Sequence, residues 1–338
     1  MDREWRSWIV GVVCTLAAGS GLATGTAVAG DAAIARDDGG APAGHGLQTA
    51  IGQENPAAYV RELDRLLFAD LVAGTPEAER PEAPPWNLKL LQRSLDPASV
   101  MLVFHPDGEV VWAAAISHDQ VVPRKLNAPH TNALGPRLQA WAHGPPGRPL
   151  DRHAASAIHQ NLFFPFEAET AAKRHVIVAA SGVLRDLPFE ILLMTPATEE
   201  HSVTEMPFLV RRFEFAYEPT VASRLGWSSR PGGLRRIRRH SVDDPDSRVV
   251  AAGTLIAVAH EGPSGSGMEA LGWLREGAGA CLLGGDEGGL DVFLKRFYRE
   301  RAGGRRSIVR AVHRTRLGLL GDGLPPEIWA RPMLYGAE

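Results

Sequence analysis

The chain has 338 residues, 44% of them hydrophobic and 22% charged, an ordinary globular balance that supports a packed core in one large domain or two modest ones. A formal net charge of −3 lacks the positive excess of a general nucleic-acid binder, and no such partner is expected. Only Cys14 and Cys281 carry thiols, and Cys14 lies in an apolar leader, so a disulfide-stapled scaffold is excluded.

The first residues carry Arg3 and Arg6, and from Trp8 to Ala29 there is no charge. The run ends Ala27-Val28-Ala29, the small-x-small pattern that a signal peptidase reads. Residues 1–29 are therefore expected to be a signal peptide cleaved near Ala29, with export to the periplasm, envelope or medium. The alternative is a single-pass membrane anchor, since the uncharged run is long enough to span a bilayer. Residues 30–54, rich in Gly, Ala and Asp with no apolar period, are expected to form a disordered leader.

Residues 55–87 read as a helix and a Pro-rich linker. Asn55 can cap, Pro56 suits the first turn, and Tyr59, Leu63, Leu66, Leu67 and Leu71 recur at helical spacing before Gly74. From 88 to 338 the pattern is one α/β domain. Ser99–Phe104 is predicted as a strand, His105-Pro106-Asp107-Gly108 as a turn and Glu109–Ile116 as its hairpin partner. A helix is predicted within 150–164, before Pro165. His175–Ala180, Gly253–Ala259 and Ala278–Leu283 are short apolar runs of the kind buried on both faces of a parallel sheet. Helical patterns at 267–276, 290–301 and 305–320 follow, so a mostly parallel sheet with helices on both faces is expected, preceded by a β-hairpin and an N-terminal helix.

One stretch is distinctive: His175-Val-Ile-Val-Ala-Ala-Ser181-Gly182-Val-Leu-Arg-Asp-Leu187-Pro188-Phe189-Glu190. Ser181-Gly182 can turn the chain after the strand, and Pro188 can open a short helix because its missing N–H costs nothing there. The order of this motif, of Phe208–Thr220 with its Tyr217-Glu-Pro-Thr220 ending, of 267–280, and of the closing Pro326-Glu-Ile-Trp329-Ala330 and Leu334-Tyr335-Gly336 resembles the CHAT family, relatives of the caspases. The resemblance covers roughly residues 88–338. It implies a caspase-like sheet. In active members it also implies a cysteine peptidase whose histidine and cysteine stand after two neighbouring strands, the thiolate attacking and the imidazole moving protons.

That chemistry is incomplete here. The interval from Tyr217 to Gly267 is expected to be too short for both strands, leaving a shortened active-site region at 228–266. The segment after Trp227 is polar, basic and turn-rich, and the single strand that follows ends Val258-Ala259-His260-Glu261-Gly262. His260 takes either the cysteine's place or the histidine's, Glu261 and Gly262 line the edge of the site, and one partner is absent either way. Cys281 lies inside an apolar run, where a cysteine behaves as an inert small hydrophobe. No cofactor and no metal are expected: His260-Glu261 lacks the second histidine of a zincin, since Ser264 stands there. The basic run Arg235–His240 is a solvated loop or, more sharply read, a docking site for an acidic partner. The expected function is a catalytically inactive CHAT-like binding or regulatory module for an unknown protein partner. The alternative is a cysteine endopeptidase with a dyad rearranged from His260 and Cys281.

Overall fold

The computed structural model describes residues 44–336 except 78–79, 82, 84–85, 143–149, 198–200, 228–235, 241–253, 259–265, 276–277, 285 and 303–306. The fold is α/β, built on one mixed, mostly parallel sheet. Its strands are β1 (Ser99–Asp107), β2 (Val110–Ile116), β3 (Val121–Asn127), β4 (His175–Ala180), β5 (Glu214–Tyr217), β6 (Arg236–His240), β7 (Thr254–Val258), β8 (Ala280–Leu283) and β9 (Met333–Tyr335). Their order is β3-β2-β1-β4-β5-β9-β8-β7-β6. β1, β4, β5 and β9 run parallel in succession, as do β6, β7 and β8, while β2, β3 and the β8–β9 contact are antiparallel.

Consecutive residues of the inner strands are buried, from Val100 to Phe104, Val176 to Ala180 and Ala280 to Leu283. Alternate strand residues face opposite sides, so both faces of the sheet are covered. Each large apolar side chain so placed contributes about 1.5–3 kcal/mol of transfer free energy. The helices are α1 (Gly44–Gly52), α2 (Pro56–Leu71), α3 (Leu88–Ser94), α4 (Thr131–Ala142), α5 (Arg152–Ile158), α6 (Glu167–Thr170), α7 (Ser223–Trp227), α8 (Ser266–Arg275), α9 (Glu287–Ala302), α10 (Ile308–Gly321) and α11 (Pro326–Trp329), and α2, α8 and α10 pack directly on the strands.

α2 forms as its sequence predicts: the Asn55 side chain accepts from the Ala58 N–H, Pro56 sits in the first turn, and the predicted leucine stripe is buried. Its Tyr59 hydroxyl donates to the carbonyls of Ala113 and Arg124, tying the helix to β2 and β3.

Several expectations need correction. Residues 44–52, expected to be disordered, form α1. Leu47 and Ala50 have a place to bury, and Gly44 lies where a Cβ would meet the Trp112 ring at 2.7 Å. Residues 1–43, which hold the expected signal peptide and Cys14, lie outside the described residues. The hairpin turn is tighter than His105–Gly108. β1 continues through Asp107, which pairs with Val110, and Gly108 turns at φ 63°.

The helix predicted within 150–164 is α5, which ends at Ile158 before Pro165, and helical turns of other kinds lead from it to α6. Pro165 has no N–H for the α-helical bond, and the chain passes through a π-helical turn at His159–Phe163 and a 3-10 turn at Phe164–Phe166. β3 and β9 were not predicted; β3 carries Pro123 and sits at the edge of the sheet, where a missing donor is tolerated. The interval after Tyr217 holds two strands rather than one: Arg236–His240 is β6, parallel to β7 with His240 opposite Val258. Its residues do not resemble a core strand because, among the described residues, β6 is the last strand of the sheet and pairs with β7 alone. The three predicted apolar strands share one sheet, and β7 and β8 are parallel neighbours, but β5 and β9 stand between them and β4.

Candidate functional site

In open α/β sheets ligands bind beyond the carboxyl ends of parallel strands. On this sheet β1, β4 and β5 end at one edge, while β6, β7 and β8, which run the other way across the antiparallel β8–β9 contact, end at the opposite edge.

After β4 the chain turns at Ser181-Gly182. Gly182 has φ 56°, the left-handed region that glycine enters without a Cβ penalty. Its N–H donates to Asp70 Oδ2 at 2.7 Å, and the same carboxylate pairs with Arg185. Ser181 is buried, and its Oγ lies 2.7 Å from Nδ1 of His105 on β1. A serine and a histidine at this distance satisfy the geometric condition for a nucleophile and its base. Ser181 is only 1% exposed, however, so a substrate has no approach to its hydroxyl and the pair acts as a strap between β1 and the turn.

The Leu187-Pro188-Phe189-Glu190 motif follows. Leu187, Phe189 and Glu190 are fully buried, and the Phe189 ring stacks on Phe104 of β1 with centroids 5.5 Å apart. Glu190 is consumed structurally. Its Oε1 meets Nη1 of Arg316 on α10 at 2.5 Å, and its Oε2 accepts from the Tyr217 hydroxyl at the end of β5. The Tyr217 oxygen in turn accepts the Phe189 N–H at 2.8 Å. Arg316, with no exposed surface, also donates to the Pro332 carbonyl at 2.7 Å. Burial pushes the Glu190 carboxyl up while Arg316 and the tyrosine pull it down. One motif glutamate thus joins the turn after β4 to β5, α10 and the segment entering β9.

A second buried polar knot closes the turn after β5. The Ser223 hydroxyl lies 3.0 Å from Glu218 Oε2 and donates to the Thr220 carbonyl at 2.6 Å, while Arg224 stands 3.5 Å from Glu218. Burial pushes the Glu218 carboxyl up to about 7, against Arg224 and Ser223. Asp64 of α2 accepts the Ala222 N–H at 2.9 Å, and burial raises it to about 6 against those bonds. Asp64 and Asp70 therefore let one helix hold the turns after β5 and β4 together.

Cys281 is fully buried as the second residue of β8, opposite Ile256 on β7 and Tyr335 on β9. The pairing ends at Val258–Leu283, so Cys281 lies two residues, about 7 Å, inside the end of the strand. Across β9 it stands level with Tyr217, the last residue of β5, but with no exposed surface it presents no thiol to a substrate. His260, Glu261 and Gly262 lie outside the described residues. The structure therefore brings together the motif residues 187–190 with Tyr217 and Arg316, and it keeps Cys281 in the sheet.

Tyr217, Glu218 and Thr220 lie in a motif the sequence shows, but their pairings and the roles of Arg316 and Asp64 carried no signal, since Arg316 is 126 positions from Glu190 and Asp64 is 158 from Ala222. Among the described residues no group of three His, Cys, Asp or Glu side chains could hold a metal ion. Among them, too, no helix is long and apolar enough to cross a membrane. No protein-family model matches the chain, and no curated protein matches it.

Proposed function

We propose that the chain is a CHAT-like, caspase-like module that binds a protein partner rather than cleaving one, exported through its N-terminal segment. The observation that carries this reading is the complete burial of Cys281 within β8. A thiol there is shielded from solvent and substrate, and attack on an amide needs an accessible thiolate with its base. The use of Glu190 as a structural tie agrees with it, because the motif then stabilises the fold without taking part in chemistry.

The test is labelling and turnover with the full chain. A thiol-directed peptidase probe should leave Cys281 unlabelled under native conditions and label it after unfolding in denaturant. Turnover of a peptide library that is lost in both Cys281→Ala and His260→Ala would replace this reading with the rearranged endopeptidase.

A further inference from the structure

We infer that the outer edge of β6 is a docking edge for an extended acidic segment of a partner protein, which joins the sheet as one further strand. The inference rests on the binding reading above and supplies its surface and partner class.

β6 is the terminal strand of the sheet. It pairs in parallel with β7 from Arg236–Thr254 to His240–Val258, and among the described residues no strand pairs with its other edge. A strand in that position presents a row of N–H and C=O groups that another chain can complete. The opposite edge of the same sheet is guarded differently: β3 contains Pro123, which cannot donate to a ladder. β6 has no proline, and four of its five residues are basic types, in the sequence Arg236-Ile237-Arg238-Arg239-His240.

Positive charge along an edge repels a second copy of the same strand and favours a strand of opposite charge. Because a strand alternates between faces, Arg236, Arg238 and His240 take positions on one face of the sheet, and Ile237 and Arg239 on the other. The complementary segment carries Asp or Glu at alternate positions with apolar residues between them. Addition of a strand draws affinity from main-chain hydrogen bonds and specificity from the alternating side chains.

The experiment uses the full chain and a labelled, end-capped peptide, Glu-Val-Glu-Val-Glu-Val-Glu, read by fluorescence anisotropy. Two further peptides have the same charge but are N-methylated, one at the glutamates and one at the valines. Alternate N–H groups of a strand point to the same side, so at least one of these should bind about tenfold more weakly than the parent or worse. The variant Arg236→Gln/Arg238→Gln/Arg239→Gln, with its urea midpoint checked against the parent protein, should also weaken binding by about tenfold or more. The inference is overturned if the parent peptide does not bind. It is equally overturned if both N-methylated peptides bind as tightly as the parent, which would mean attraction by charge alone. Unchanged binding to the triple variant would place the peptide on another surface and also end it. None of these results touches the binding reading, which falls only if the chain turns over peptides.

Discussion

Replacing Arg316 by methionine removes the cation from a site with no exposed surface. Glu190, fully buried, then keeps the Tyr217 hydroxyl and its own backbone N–H without a counter-charge, and the Pro332 carbonyl loses the Arg316 donor. Removing one member of a buried ion pair costs about 3–5 kcal/mol, because the other charge stays buried without compensation. A domain is stable by about 5–15 kcal/mol, so the variant should still fold. With a urea dependence of about 3 kcal/mol per molar, its unfolding midpoint should drop by about 1–2 M.

Glu190→Leu should show a loss of similar size. The double variant Glu190→Leu/Arg316→Met should recover to within about 1 kcal/mol of the parent or exceed it, since no charge is then buried. Tyr217→Phe loses a neutral bridge between Phe189 and Glu190 and should cost about 1–2 kcal/mol. The assay is urea unfolding followed by circular dichroism, arranged as a double-mutant cycle with the slope checked for constancy. Single variants costing under about 1 kcal/mol, with coupling near zero, would refute the claim that this triad ties the motif to α10 and β5.

Three glycines should form a graded series on substitution by alanine. At Gly284 (φ 114°) a Cβ lies 2.6 Å from the Arg331 backbone oxygen, and at Gly336 (φ 68°) it lies 2.4 Å from the movable Leu274 side chain. At Gly182 (φ 56°) the nearest atom is 3.7 Å away. Urea midpoints should fall most for Gly284→Ala, less for Gly336→Ala, and by about 1–2 kcal/mol of left-handed strain alone for Gly182→Ala; equal losses would refute the steric ranking. Leu47→Ala should cost about 2–3 kcal/mol if α1 is part of the folded unit, and no loss of midpoint would return 44–52 to an unstructured leader. Glu218 is pushed up to about 7 from an ordinary 4.5, so its contribution to stability is full below about 4.5 and is lost as pH rises through about 7. Against Glu218→Gln, the parent should therefore lose stability between pH 5 and 8, and parallel pH profiles would refute the shift. Burial holds His159 down at about 4, with Arg212 adding to the effect, so its contribution is present above 6.5 and lost as pH falls toward 4. His159→Phe should gain on the parent across that range, and a constant difference would refute it.

The sequence by itself determined the elements whose signals are local. The leucine stripe, Asn55 cap and Pro56 of α2 settle a helix, because capping and one-sided burial act within a few residues. The apolar runs of β4, β7 and β8 settle buried strands, because a strand covered on both faces has nearly every side chain in the core. The turn glycine at 182 was legible for the same reason: its φ is a local property of the chain.

Tertiary structure decided what depends on neighbours far along the chain. Residues 44–52 carry no strong helical pattern and become α1 where Leu47 and Ala50 find a core to enter. β6 reads as a charged loop and becomes a strand because β7 offers it one edge, and among the described residues it is the terminal strand, where an apolar sequence is not required. Glu190 was legible as part of a motif but not as a tie. Its meaning lies in Arg316 and Tyr217, which the crossing of α10 and the end of β5 bring to it, and a buried charge is tolerated only where folding delivers its counter-charge and hydrogen bonds together.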